Sequence, residues 1–272
     1  MKSTLLLFGF LLTLHSYYSQ VNGNSFKKEN YQQKTAIPYP SLSERDVMYS
    51  KRIWRVMDLR EKMNHPYYYP VISYGNMRSL FSLIEQSIKN NELTVYDAIN
   101  DEFTLPLSRS AALEVGMQEE DLSFENPDGS FTDTTIKIPI NTEDIIRFRI
   151  KEDWFFDKQR GVMEVRIIGI CPVAELYDQN GDFKGELPLY WIYFPEIRGL
   201  LAQQETVSRW NDAEQRTYDE MFSKRFFSSY IYKISNVYNR RITDYKLGTE
   251  AQLEAQLFFN QIFDFEQDLW EY

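Results

Sequence analysis

Ile146-Arg147-Phe148-Arg149-Ile150-Lys151 alternates apolar and basic residues, and that alternation decides the fold. Successive side chains of a strand point to opposite faces, so the run predicts a half-buried antiparallel strand. Upstream, Ile136, Ile138 and Ile140 alternate with polar partners or proline. Downstream, Met163, Val165, Ile167, Cys171 and Val173 line one face of the next strand, whose other face carries Glu164 and Arg166 before turning apolar at Ile168. Asp178-Gln179-Asn180-Gly181-Asp182 reads as a hairpin turn with Asn-Gly at its centre. Leu189 to Phe194 is apolar on both faces and belongs in the middle of a sheet.

Helical spacing is read on both sides of this segment. Ser43 to Met63 is expected as a helix: Ser43 and Asp46 suit a capping box, Leu42 and Val47 a hydrophobic staple. Tyr49, Ile53, Val56 and Met63 then recur at helical spacing, and Arg45, Lys51, Arg52, Arg55, Arg60 and Lys62 make its surface basic. Pro66 stops it, and the rigid stretch Pro66-Tyr67-Tyr68-Tyr69-Pro70 follows. Met77, Leu80, Ile84 and Ile88 mark a second helix opened by Asn76. Residues 91–135 are mixed, with a turn at Asn126-Pro127-Asp128-Gly129.

From Glu196 the period is helical again. Asn211 and Glu214 form a capping box, and Tyr218, Phe222, Phe226, Tyr230, Ile234 and Val237 hold one face of a helix from Asp212 to Asn239, about 42 Å long. Gly248, Thr249 and Gln252 open a last helix with the stripe Leu253, Leu257, Ile262, Phe265 and Leu269; that helix is acidic and has no basic residue. The expected fold is α+β: one domain over 43–272, with a small antiparallel sheet (136–195) packed against N-terminal (43–90) and C-terminal (196–272) helices.

With 272 residues, 43% apolar and 26% charged, the chain is long enough for a substantial core. Forty acidic against thirty basic residues argue against a nucleic-acid partner. Lys2 and the short run Leu5-Leu6-Leu7-Phe8-Gly9-Phe10-Leu11-Leu12 have the form of a secretory signal peptide, too short to span a bilayer. Residues 1–23 are expected to be removed, with cleavage after Ser19 or Gly23, leaving an exported, soluble chain of charge about −11. No cysteine lies nearby to carry a lipid anchor. Residues 24–42, polar and containing Pro38-Tyr39-Pro40, read as a flexible arm.

Catalytic chemistry is thinly provided. Cys171 and His65 could form a nucleophilic dyad, but Ile170 and Pro172 flank a cysteine on an apolar strand face, which favours a core role. One Cys and one His in the mature chain cannot supply the usual zinc sets. Asp178, Asn180 and Asp182 resemble the start of a calcium loop whose glycine and closing glutamate are out of place. Asp153 beside Trp154 and Glu186 near Trp191 are the candidates for a carbohydrate site. The remaining features suit contacts: a basic N-terminal element and an acidic last helix would fit head-to-tail association of copies or an intramolecular pairing of the two ends.

Several long strings resemble one family. Tyr49-Ser50-Lys51-Arg52-Ile53-Trp54-Arg55-Val56-Met57-Asp58-Leu59-Arg60-Glu61-Lys62-Met63-Asn64-His65-Pro66 resembles the opening of the gliding-motility family GldN, called PorN in non-gliding relatives. Leu93-Thr94-Val95-Tyr96-Asp97-Ala98, Ile150-Lys151-Glu152-Asp153-Trp154-Phe155-Phe156-Asp157 and Tyr190-Trp191-Ile192-Tyr193-Phe194-Pro195-Glu196-Ile197-Arg198 are similar to it as well. The resemblance spans roughly 45–245. It implies a non-enzymatic, cofactor-free component of the type IX secretion system of Bacteroidota, periplasmic and held at the outer membrane through a partner. The implied partners are the outer-membrane lipoprotein GldK (PorK), the periplasmic part of the motor protein GldM (PorM), and copies of the chain itself in a ring. No binding residues carry over. Arginine and aromatic chemistry instead nominates Arg52, Arg55, Tyr67, Tyr68 and Trp270 as interface residues. The alternative is a periplasmic carbohydrate-binding or carbohydrate-acting protein using Trp154 or Trp191.

Overall fold

The computed structural model describes residues 33–125, 131–177, 182–208, 211 and 213–269. Its strands are β1 (Val47–Asp58), β2 (Val95–Asp97), β3 (Gln118–Glu125), β4 (Phe131–Ile138), β5 (Ile145–Asp157), β6 (Val162–Tyr177), β7 (Phe183–Pro188), β8 (Tyr190–Tyr193) and β9 (Tyr230–Ile234). The helices are α1 (His65–Tyr68), α2 (Leu80–Lys89), α3 (Arg109–Glu114), α4 (Phe194–Gln203), α5 (Tyr218–Ser223) and α6 (Thr249–Asp268). Seven strands form one antiparallel sheet in the order β2-β8-β6-β5-β1-β9, with β7 paired to β6, while β3 and β4 form a separate ribbon. The α+β class is as expected, but the sheet draws strands from both ends of the chain.

The β5–β6 hairpin is its centre. Asp157 closes the turn by accepting from Gln159 N at 2.9 Å, and Gly161, at φ +66°, donates back to Asp157 O at 2.8 Å. Phe148 and Ile150 of β5, Met57 of β1, Ile170 of β6 and Ile192 of β8 are buried in one cluster with α1, α2, α4 and α5. Alternation puts Ile53 on the same face as Met57, and there it packs with Ile231, Ile234, Ile242 and Ile262 of α6. The opposite face buries Trp54, Cys171 and Trp191 with Phe103 against them. Gly169 is required there, since a Cβ would come within 2.5 Å of the Phe103 ring.

Two expected helices are not formed. Of Ser43 to Met63, Glu44–Asp46 makes one 3₁₀ turn and the rest, to Asp58, is β1, with Ile53 opposite Glu152 and Met57 opposite Phe148. Tyr49, Ile53 and Val56 satisfy a helical period and also suit a strand, and pairing with β5 on one side and β9 on the other decides between them. Among the described residues of Asp212 to Asn239, only Tyr218–Ser223 is helical. Arg225, at φ +54°, ends α5 as Phe226 N donates to Met221 O at 2.9 Å, and the β-prone run Tyr230–Ile234 then joins the sheet.

Other expectations shift less. Pro66 sits in the first turn of α1 rather than ending a helix. α2 is capped by Ser79, whose Oγ accepts from Ser82 N, not by Asn76. β8 is interior and buried on both faces, as its composition requires. The turns at 126–129 and 178–181 lie outside the described residues, though Glu125 pairs with Phe131 and Tyr177 with Phe183 across them. The signal segment and residues 24–32 also lie outside. The described part of the arm is anchored: Lys34 Nζ lies 2.8 Å from Glu220 Oε1, Tyr39 lies 4.3 Å beneath the Arg198 guanidinium, and Arg166 donates to Pro40 O at 2.7 Å. Arg198 is itself fixed by a buried bidentate pair with Asp219.

Candidate interaction surface

β9 is an edge strand; among the described residues nothing pairs with its outer side. Its register to β1 slips between Trp54 and Arg55, so Lys233 faces Trp54 while Ile231 faces Arg55. The bulge turns Ile231 and Ile234 toward α6 even though they are three residues apart. Lys233 is left on the other face, its amine 4.3 Å from the Trp54 ring.

Beside β9 lies a buried charge cluster. Glu152 is fully buried; Arg225 Nη1 lies 2.9 Å from its Oε1, Arg225 Nη2 donates to Oε2 at 3.2 Å, and Trp154 Nε1 donates to Oε2 at 2.9 Å. Arg55 is held by Ser229, with Nε donating to Oγ and Nη2 to the carbonyl oxygen, both at 2.8 Å. Its buried Nη1 has no acceptor. Burial pulls Arg55 below the usual arginine range, Glu152 opposes that, and Arg225 adds to it. Arg225 is the guanidinium that pairs with Glu152, while Ser229 holds Arg55.

α6 is the one helix over this end of the sheet among the described residues, joined by the 3₁₀ turn Ile242–Asp244. Ala251, Ala255, Phe258 and Ile262 pack inward, Phe259 stands edge-on to Trp154 at 6.3 Å, and Phe265 meets Tyr49 at 4.4 Å. The expected stripe is thereby corrected: Ile262 is buried, but Leu253 and Leu257 are 64% and 55% exposed. Phe263 is exposed with them, among Gln252, Gln256 and Asn260. The two small alanines, one turn apart, let α6 settle close to β9 and mark its inner face better than the leucines do. α6 meets β1 through the Tyr49–Phe265 ring contact, while the β1 arginines are engaged elsewhere, Arg52 by Asp153 and Arg55 by Ser229.

Grooves open along both flanks of α6. One, of about 580 Å³, runs between Ser229 to Tyr232 and the first half of α6, with Arg55 in its lining and no acidic side chain. The other, of about 410 Å³, lies between the 234–245 segment and Glu254 and Phe258. Val237 and Tyr238 stand almost fully exposed beside it.

Of the five nominated residues, Arg55 lies in this surface. Arg52 is exposed on the opposite face and makes a bidentate pair with Asp153 at 2.7 and 2.9 Å. Tyr67 is corrected to core: it is 0% exposed, packed against Tyr218 and Phe222, because the 65–68 turn points it under α5. Tyr68 is half-buried and lines a small cavity with Leu59 and His65. Trp270 lies outside the described residues. The carbohydrate candidates are engaged elsewhere: Trp191 is buried, Trp154 lies under α6, Asp153 pairs with Arg52, and Glu186 pairs with Arg147. Cys171 is buried, and burial pushes its thiol up to about 12, the opposite of an activated nucleophile. β9 and the outer side of α6 were missed because period-3.6 matches masked them.

Among the described residues, no group of three or more His, Cys, Asp and Glu side chains is placed to hold a metal ion, and no helix is long and apolar enough to cross a membrane. The sheet has an open edge at β9, and the helix over it is grooved and partly apolar on its outer side. A family model for the gliding motility associated protein GldN matches residues 42–271, and the chain belongs to that family. Membership ties it to gliding motility and type IX secretion. A search of curated proteins finds no matching sequence.

Proposed function

We propose that the chain is a non-enzymatic structural subunit of the type IX secretion and gliding machinery. It is exported by its N-terminal signal and works in the periplasm. There it builds a ring with copies of itself and an outer-membrane lipoprotein of the GldK (PorK) kind, which supplies the membrane anchor, and it contacts the periplasmic part of GldM (PorM). The observation that carries this reading is the family match over residues 42–271. The grooved β9–α6 end supports it by offering apolar surface and an open strand edge, both suited to protein contacts.

The test is the solution mass of the mature chain, alone and co-produced with the lipoprotein, by light scattering after gel filtration. A stable, very large co-assembly is expected. A monomer indifferent to the lipoprotein would refute the subunit role.

A further inference from the structure

The two sides of the sheet carry complementary charges that the chain leaves unpaired. Arg149 lies opposite Val56, and Lys233 opposite Trp54, so both cations sit on the face turned away from α6. Each is half-buried and forms no ion pair among the described residues; Lys233 lies 4.3 Å from the Trp54 ring and Arg149 5.7 Å from the Tyr232 ring. Tyr230, on the same face, is 49% exposed. The neighbouring Lys151 shows what this face accepts. The Asp101 carboxylate lies 3.7 Å from its amine, and the Phe103 ring lies 5.3 Å away. Arg149 and Lys233 have no such acid over them.

α6 has the opposite shortage. Glu250 pairs with Lys246 at 3.5 Å, but Asp264 and Asp268 are exposed and form no ion pair among the described residues. Asp268 lies in the last turn, where the helix dipole disfavours negative charge and no basic residue offsets it. At 100° per residue, Leu257, Asp264 and Asp268 share the outer side of α6.

Resting on the ring reading above, we propose that the outer side of α6 of one copy docks on the Arg149–Lys233 face of the next, with Asp264 and Asp268 meeting the two cations and Leu257 lying against Tyr230. The acids are about 6 Å apart along the helix. The cations rise from β5 and β9, about 10 Å apart across the sheet, and their long side chains close the difference. Pairing α6 with α6 would set acid against acid, so the matching surface is the basic face of a second copy. The two surfaces lie on opposite sides of one sheet. Each copy gives with one and receives with the other, a heterologous contact of the kind that generates rings.

Disulfide trapping tests the contact, and buried Cys171 stays silent in it. Tyr230→Cys and Asn260→Cys, carried on separate chains, are co-produced with the lipoprotein and mildly oxidised. The expected mixed disulfide dimer forms at about tenfold the yield obtained when Lys224→Cys, exposed after α5, replaces Tyr230→Cys. Adding Lys233→Glu to the Tyr230→Cys chain should lower the yield about tenfold, and adding Asp264→Lys with Asp268→Lys to the other chain should restore it. That rescue separates a lost contact from a lost fold. A yield equal to the Lys224→Cys control overturns the proposal, as does a yield that Lys233→Glu leaves unchanged or that the charge swap fails to restore. Light scattering of the same samples separates the two claims: large assemblies without the cross-link refute this contact alone, and a cross-link without large assemblies refutes the ring.

Discussion

The two ends of one sheet face are built from the same strands yet covered differently. At one end Met57, Phe148 and Ile150 lie beneath α1, α2, α4 and α5, with Tyr67, Tyr218 and Phe222 fully enclosed. At the other, Ile53, Ile231 and Ile234 have α6 and a 3₁₀ turn at Ile242–Asp244 over them, and Ile262 is the one α6 residue that is fully buried. Identical alternation along β1 and β5 thus yields a core where four helices converge and an accessible surface where one helix crosses. The first end is closed core, whereas the second leaves Leu253, Leu257 and Phe263 of α6 exposed.

That contrast can be broken by mutation. Phe222→Ala, in the closed end, should cost about 4 kcal/mol through lost packing and the cavity left behind, read as a fall in the urea midpoint. Glu152→Gln, at the junction, removes the carboxylate that pairs with Arg225 and should cost about 3 kcal/mol. A loss below about 1 kcal/mol there would mean that the cluster does not tie the two ends together.

Asp58 sharpens the comparison by pH. Burial would raise its carboxyl, but hydrogen bonds from Arg60 and Arg147 outweigh burial and hold it at about 2. The folded value is depressed, so its contribution of about 2 kcal/mol is complete above pH ~4 and disappears as pH falls through 2. Asp58→Asn should lose about 2 kcal/mol at neutral pH and flatten the decline between pH ~4 and 2, measured by urea titration at each pH. The smallest effect belongs to the open end: Leu253→Gln with Leu257→Gln should change stability by less than about 0.5 kcal/mol while weakening assembly, seen by thermal melt and light scattering side by side.

The middle of the sheet was readable because its signals agree. Ile146 to Lys151 alternates and lies in β5, although Lys151 of its basic face is buried against Phe103; the Leu189 to Phe194 run holds β8, with Tyr190, Trp191 and Ile192 buried, before Phe194 opens α4. The strands donated by the ends were not readable. Tyr49, Ile53 and Val56 fit either period, and only the partners β5 and β9, about a hundred and nearly two hundred residues away, settle the choice. Tyr230 to Ile234 was hidden in the same way, since four-residue spacing from Tyr218 to Ile234 is shared by a short helix, a turn at Arg225 and a strand. The candidate surface was legible only in part: Arg55 was nominated for its chemistry, whereas the exposed face of α6 and the Glu152 cluster depend on contacts between distant segments.

The most direct test of contact at the open end is amide hydrogen exchange on the mature chain, free and in its lipoprotein co-assembly. New protection is expected at Tyr230–Ile234 and across Thr249 to Phe263, with α2 and α5 unchanged. Protection confined to α2, α4 or α5, with β9 and α6 exchanging as in the free chain, would contradict it.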